Sequence, residues 1–246
     1  MRHAQLAAGS VEAAAPALGP RLPARPLMLV TDRSLARDTA DLLRQVAAAI
    51  EGGVNIVQVR EKDLPDAELL ALTREIVAAS AGRAFVTVNG RPNVALAAGA
   101  HGVHAGEDAL PVRSLLRAVR GRLVVGRSVH DLAGATAAAH DGVGYLVLGT
   151  IFPSRSHPGG ETGGLARVRE VTAAVAAPVI AIGGITAANA AEVMQAGAAG
   201  VAVVSAVLGQ PDPRAAAAAL RWAMEAGIPE AQTAAHGLST HGDTHG

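Results

Sequence analysis

The 246-residue chain contains no cysteine, which removes disulfides, thiolate nucleophiles and cysteine metal sites together. Aromatic residues make up only 2% of it, too few to build the stacking platforms that single-stranded nucleic acids require. Charge of either sign is sparse, because 17% of residues are charged and 21 Lys and Arg balance 21 Asp and Glu. A formally neutral chain offers no basic field for nucleic acid or for an anionic membrane. No apolar run is long enough to cross a bilayer, and Pro16, Pro20, Pro23 and Pro26 break up any secretory leader. The expected location is the cytoplasm.

What is present is aliphatic. Half the residues are hydrophobic, carried by Ala, Val and Leu, which suits one sizeable core. The most informative stretch is Pro178-Val179-Ile180-Ala181-Ile182-Gly183-Gly184-Ile185-Thr186, echoed by Gly200-Val201-Ala202-Val203-Val204-Ser205-Ala206. Both read as buried parallel strands followed by helices. Gly183-Gly184 leaves backbone N–H groups bare at the end of the first, Thr186 is placed as the N-cap of the next helix, and Ser205 adds a hydroxyl at the end of the second. Together they predict a phosphate cup across the last two strands.

Taken in order, residues 1–25 form an Ala/Pro/Gly-rich lead expected to be disordered. Strands are expected at Leu27–Thr31, Ile56–Arg60, Ala84–Val88, Gly102–His104, Leu123–Ser128, Gly144–Leu148 and around Val179 and Val201. Helices follow after Asp38, over Asp66–Ser80, Asn93–Ala98, Pro111–Val119, Ala133–His140, Leu165–Val175 and Thr186–Ala196, and from an Asp212 N-cap with Pro213 to about Ala226. Eight β-α units in about 200 residues predict an α/β chain folded as a (β/α)8 TIM barrel, in one domain spanning 26–227. The tail 228–246, with His236, His241 and His245 among Gly, Ser and Thr, is expected to be flexible.

Chemistry in such a barrel sits where strands end. Gln58, Arg60 and Lys62 alternate along the second strand and share one face, an arrangement suited to clamping an anion or a polar ring. The third strand ends in Asn89, the fourth in His104 and the fifth in Ser128-Val129-His130. The sixth opens into a long loop, 149–164, carrying Ser154, Arg155, Ser156 and His157, of the length expected for a lid or ligand grip. His101 and His140 fall away from this rim and read as structural or surface residues.

With these residues in view, the chain resembles the thiamine phosphate synthase/TenI superfamily over roughly Leu27 to Ala226. The matching stretches are Val57–Asp63, Val88–Leu96, Gly102–His104, Gly126–His130, Gly149–Pro153, Ala181–Ile185 and Val203–Ser205. The resemblance implies a thiamine-pathway enzyme acting on a thiazole phosphate, with the phosphate at Gly183, Gly184, Val204 and Ser205. It also implies substrate contacts at Gln58, Arg60, Lys62, Asn89, His104, Ser128, Ser154, Ser156 and His157.

The superfamily has two branches. The synthase joins thiazole phosphate to hydroxymethylpyrimidine pyrophosphate with Mg²⁺, and its pattern carries Asp where this chain has Gly90 and Ala109; Glu107 and Asp108 lie beside the second position. The tautomerase, TenI, aromatises a 2-carboxythiazole phosphate without a metal. Missing carboxylates, and Ser154-Arg155-Ser156-His157 in place of the synthase grip, place the expectation on the tautomerase, with His130 as its acid–base group and no cofactor. The synthase, with Mg²⁺, is the alternative, and a non-catalytic thiazole-phosphate-binding regulator is a third reading. The expected partner is a small molecule, not nucleic acid or membrane, and homo-oligomerisation is left open.

Overall fold

In a computed structural model, the structure describes residues 20–106, 109–154 and 161–227. Eight strands are present: β1 Leu27–Val30, β2 Ile56–Val59, β3 Phe85–Asn89, β4 Gly102–Ala105, β5 Val124–Val129, β6 Tyr145–Leu148, β7 Val179–Ile182 and β8 Gly200–Val203. Each pairs in parallel with its neighbours, and β1 pairs with β8, so the sheet closes into the expected (β/α)8 barrel.

Eight helices cover the outside: α1 Thr39–Glu51, α2 Asp66–Ser80, α3 Pro92–Ala98, α4 Val112–Val119, α5 Leu132–His140, α6 Gly164–Ala174, α7 Ala190–Gln195 and α8 Pro213–Ala226. Side-chain caps start several of them. Asp38, Asp131 and Asp212 accept from the backbone N–H groups of Asp41, Gly134 and Ala215, satisfying donors that a helix's first turn leaves unpaired. Among the described residues no helix is long and apolar enough to cross a membrane.

Two apolar clusters follow from the strand alternation. Leu27 and Leu29 point outward under the helices, in the larger cluster; Met28 and Val30 point inward, to Ile56, Phe85, Tyr145, Val147, Ile180 and Ala202. Glycines make room for the two rings inside. A Cβ on Gly126 would stand 2.1 Å from Tyr145 Cζ, and one on Gly102 2.9 Å from Phe85 Cε1.

Two expectations need correction. The chain is anchored before Leu27, because Leu22 packs on the inner cluster and the carbonyls of Ala24 and Arg25 accept from Asn55 Nδ2. Arg25 also accepts from Arg221 on α8, so residues 22–25 close the floor of the barrel and do not belong to a loose lead. The second concerns α7, which starts at Ala190 with Asn189 as cap, not at Thr186. Asn189 accepts from the Thr186 N–H and donates to the Gly184 carbonyl, and this local turn competes with the helix. Residues 1–19 and 228–246 lie outside the described residues.

Candidate active site

The C-terminal ends of the strands surround a cavity of about 1050 Å³, at the upper end of the range for small-molecule sites. Its wall takes in the ends of all eight strands, that of β4 through Gly106. Of the residues singled out in the sequence, Arg60, Lys62, Asn89, Ser128, His130, Ser154, Gly183, Gly184, Val204 and Ser205 all line it.

The β7–β8 side carries the cup. Gly183 and Gly184 have φ values of +103° and +63°, in the region that only glycine occupies readily. Among the described residues, the N–H groups of Gly183, Gly184, Ser205 and Ala206 donate to no backbone acceptor, although all four residues line the cavity. Backbone N–H groups left without a protein acceptor along one cavity wall suit an anion. Gly183 has a second duty: a Cβ there would lie 2.4 Å from Thr150 Cγ2, since the chain after β6 pairs with Ile182 and Gly183 through Ile151 and Phe152. Gln210 Nε2 donates to the Ser205 carbonyl at 2.7 Å, fixing the β8 turn. Nothing in the sequence marked Gln210.

On the β2 side the three alternating residues separate by depth. Gln58 is only 4% exposed, with Met28 Sδ 4.0 Å from its Nε2, and it lies beneath the cavity; Arg60 and Lys62 reach the wall. Period two selects a face but not a height. The Arg60 N–H donates to Thr31 Oγ1 at 2.9 Å, and Glu61 Oε2 accepts from the Arg33 N–H at 3.3 Å, which ties the β1 and β2 ends together. Glu61 is buried, its Oε1 has no partner, and burial pushes its pKa up. Thr31 and Asp32 also line the cavity; the end of the first strand was the one rim position not weighed in the sequence.

The histidines divide. His104 is 2% exposed and sits under the cavity wall, with Nε2 2.9 Å from Ser128 Oγ and Nδ1 3.3 Å from the Tyr145 hydroxyl. Burial, with Arg127 and Arg60 nearby, lowers its pKa to about 3, so it is neutral at physiological pH. His130 lines the cavity and its Nδ1 bonds the Gly149 carbonyl; since a carbonyl only accepts, Nδ1 carries a hydrogen. Its own carbonyl accepts from Arg167 on α6. His101 accepts from the Val86 N–H at 3.0 Å and His140 lies in a groove by α4 and α5, both away from the site. Ser156, His157, Glu107 and Asp108 lie outside the described residues.

Gly90 presents no side chain at the β3 end, and Ala109 lines the cavity with a methyl group. Among the described residues no three His, Asp or Glu side chains come together as a metal site.

The family model described as thiamine monophosphate synthase matches residues 27–207. The thiamine-phosphate synthase of Anaeromyxobacter dehalogenans is 48% identical over 189 residues, covering 76% of this chain and 85% of that one. That of Methanoculleus marisnigri is 45% identical over 200 residues, covering 79% and 93%. A solved structure, thiamine phosphate pyrophosphorylase from Pyrococcus furiosus, superposes with a TM-score of 0.76 at 34% identity, covering 83% of this chain and 97% of that one. With a matched model that runs from β1 past the end of β8 and relatives of this identity over most of both chains, the protein belongs to the thiamine monophosphate synthase family.

Proposed function

We propose that the protein works in thiamine biosynthesis as a thiamine phosphate synthase, joining thiazole phosphate to hydroxymethylpyrimidine pyrophosphate and releasing pyrophosphate. The observation that carries this reading is one large cavity with two anion-binding sectors. The cup of Gly183, Gly184, Ser205 and Ala206 takes a phosphate, and Arg60 and Lys62 just past the end of β2, with the Ser128 hydroxyl on β5, take a pyrophosphate. Two phosphorylated substrates need two such sectors, and a pair of cationic side chains suits the multiple charge of a pyrophosphate better than the single carboxylate of a 2-carboxythiazole phosphate. The names of the relatives support the same branch.

In this reading the thiazole phosphate is anchored by its phosphate at the β7–β8 end, so the ring nitrogen is held over the barrel mouth. The pyrimidine's CH₂–O bond breaks as the C–N bond forms, and negative charge grows on the departing pyrophosphate. Arg60, Lys62 and the Ser128 hydroxyl meet that charge with fixed donors, which is the way preorganised groups lower such a barrier. His130 needs to move no proton here; its Nδ1–Gly149 bond makes it a fixed part of the wall between β5 and β6.

A synthase is expected to use Mg²⁺, which binds through one or two carboxylates and the substrate's phosphates. The described residues do not fit it at the β3–β4 rim: Asn89 is neutral, and Gly90 and Ala109 supply no oxygen side chain. Asp32 lies after β1 with its Oδ1 taken by the Ser34 N–H and hydroxyl.

That same deficit favours the second reading, TenI-type tautomerisation with His130 as acid and base. The two are separated by one purified sample given each substrate set, with and without EDTA. Formation of thiamine phosphate that stops on chelation supports the synthase. Conversion of the carboxythiazole tautomer in EDTA, without coupling, replaces it with the tautomerase.

A further inference from the structure

Beneath the cavity runs a buried polar chain that the coupling reaction does not by itself require. Thr87 on β3 is fully buried, and its Oγ1 lies 3.4 Å from the Tyr145 hydroxyl on β6. That hydroxyl is 3.3 Å from His104 Nδ1 on β4, and His104 Nε2 is 2.9 Å from Ser128 Oγ on β5. Only Ser128 in this series reaches the cavity wall. The Tyr145 ring stacks on His104, with centroids 5.6 Å apart, over the space that Gly126 leaves open.

The protons in this chain can be counted. A neutral imidazole carries one N–H and each hydroxyl one O–H, so only two directions of donation are self-consistent. In the first, Thr87 donates to Tyr145, Tyr145 to Nδ1 and the Nε2–H to Ser128, and the Ser128 O–H turns to the cavity. In the second, Ser128 donates to Nε2, the Nδ1–H to Tyr145 and Tyr145 to Thr87. Among the described residues the second leaves the Thr87 proton without an acceptor in a fully buried position, an expensive fault for a buried donor; the first pairs every proton but that of Ser128, which is free to meet a ligand in the cavity.

We propose that His104 is a positioning residue that sets the polarity of Ser128: held as its Nε2–H form by Tyr145, it fills the Ser128 oxygen with a donor and aims the Ser128 O–H at the anion in the cavity. This rests on the pyrophosphate sector assigned above. In the opposite direction Ser128 would present only lone pairs, which repel a pyrophosphate.

The test has a spectroscopic arm and a binding arm. In ¹⁵N-histidine-labelled wild type, long-range ¹H–¹⁵N spectra assign His104 by its loss in His104→Gln; a protonated Nε2 is expected, and a protonated Nδ1 overturns the proposal whatever the activity. Inorganic pyrophosphate is then titrated calorimetrically into three variants. His104→Asn, too short to reach Ser128, and Ser128→Ala are each expected to weaken binding about 10- to 100-fold, the worth of one hydrogen bond to a charged group. His104→Gln, whose amide N–H stands in for Nε2–H, is expected to restore binding to within about threefold.

Wild-type affinity in His104→Asn, or equal losses in Asn and Gln, would overturn the proposal, and Ser128→Ala keeps the binding arm usable if His104→Asn does not fold. Failure of the coupling assay with a protonated Nε2 and the Gln rescue intact would refute the synthase reading and leave the positioning role standing.

Discussion

Asn55, between α1 and β2, ties the start of the barrel to its floor, and replacing it with alanine should cost stability without touching the site. Its Oδ1 accepts from the N–H of Leu27, a fully buried residue, at 2.8 Å. Its Nδ2 donates to the carbonyls of Ala24 at 3.1 Å and Arg25 at 3.3 Å. Leaving a buried N–H unpaired costs about 1–3 kcal/mol, and the two longer bonds about 0.5 kcal/mol each, so the sum is about 2–4 kcal/mol. For a chain of this size 1 kcal/mol moves the melting temperature by about 2–4 °C, giving an expected fall of about 4–16 °C. Scanning calorimetry measures that, and a urea titration with an unchanged slope confirms that the loss lies in the folded state. Since this residue is at the end of the barrel opposite the cavity, KM for both substrates should stay within about twofold. A melting temperature within about 2 °C of wild type, or a rise in KM that accompanies the fall, would refute the account of residues 22–27 as a structural strap.

Three further outcomes are expected. Arg60→Ala and Lys62→Ala should each raise KM for the pyrophosphate-bearing substrate about 10- to 100-fold and leave KM for the thiazole phosphate near wild type; steady-state kinetics with each substrate varied would show the reverse if the sectors are exchanged. Ser205→Ala should weaken thiazole phosphate binding by a similar factor at unchanged melting temperature, whereas Gly183→Ala should lower the melting temperature itself because its Cβ meets Thr150, so that only an unaltered affinity in Ser205→Ala counts against the cup. The third outcome concerns acid. The His104 pKa is held near 3, below its ordinary 6.5, by burial; the neutral ring therefore stabilises the fold above pH 6.5, and this contribution is lost as pH falls toward 3. Urea unfolding at pH 7 and pH 4 should show a smaller loss for His104→Gln than for wild type, and an equal loss would remove His104 from the acid response.

Much of the barrel was legible because parallel strands buried on both faces read as short apolar runs, and because α8 carries its start in a local signal, the Asp212-Pro213 pair. The cup was legible for a similar reason: a Gly-Gly pair at the end of one strand and a serine at the end of the next are local signals. Depth was not. Gln58, Arg60 and Lys62 share a face, yet only the latter two stand above the floor of the cavity, and that depends on how far β2 is staggered against β1 and β3. Local competition also escaped notice, as where Asn189 captures the Thr186 N–H and delays α7. The branch within the family was read from Gly90, Ala109 and the run Ser154-Arg155-Ser156-His157, while the likeness to synthases is spread over some two hundred aligned residues; a few rim positions weigh little against a whole barrel.

The floor under the site has a logic that only the closed sheet exposes. His104 and Tyr145 are 41 residues apart, and no sequence window contains both. The register sets His104 beside Gly126 and Gly126 beside Tyr145, so a glycine on the strand between them is what lets the tyrosine ring lie across β5 and reach the histidine. A barrel this poor in aromatic residues spends two of them, Phe85 and Tyr145, inside the sheet, each over a glycine of an adjacent strand. Below, Met28, Ile56 and Ile180 keep the interior apolar; above, Thr87, Gln58 and His104 make it polar just where the cavity begins. Buried polar groups are tolerated only when paired, and here pairing runs upward until the last hydroxyl, Ser128, meets the cavity. Gly126→Ala would break that run at its base, since its Cβ would displace the Tyr145 ring. Its expected signature is a loss of about 1–3 kcal/mol of stability from overpacking together with weaker pyrophosphate binding. A variant that loses stability alone would show that the polar floor only fills space.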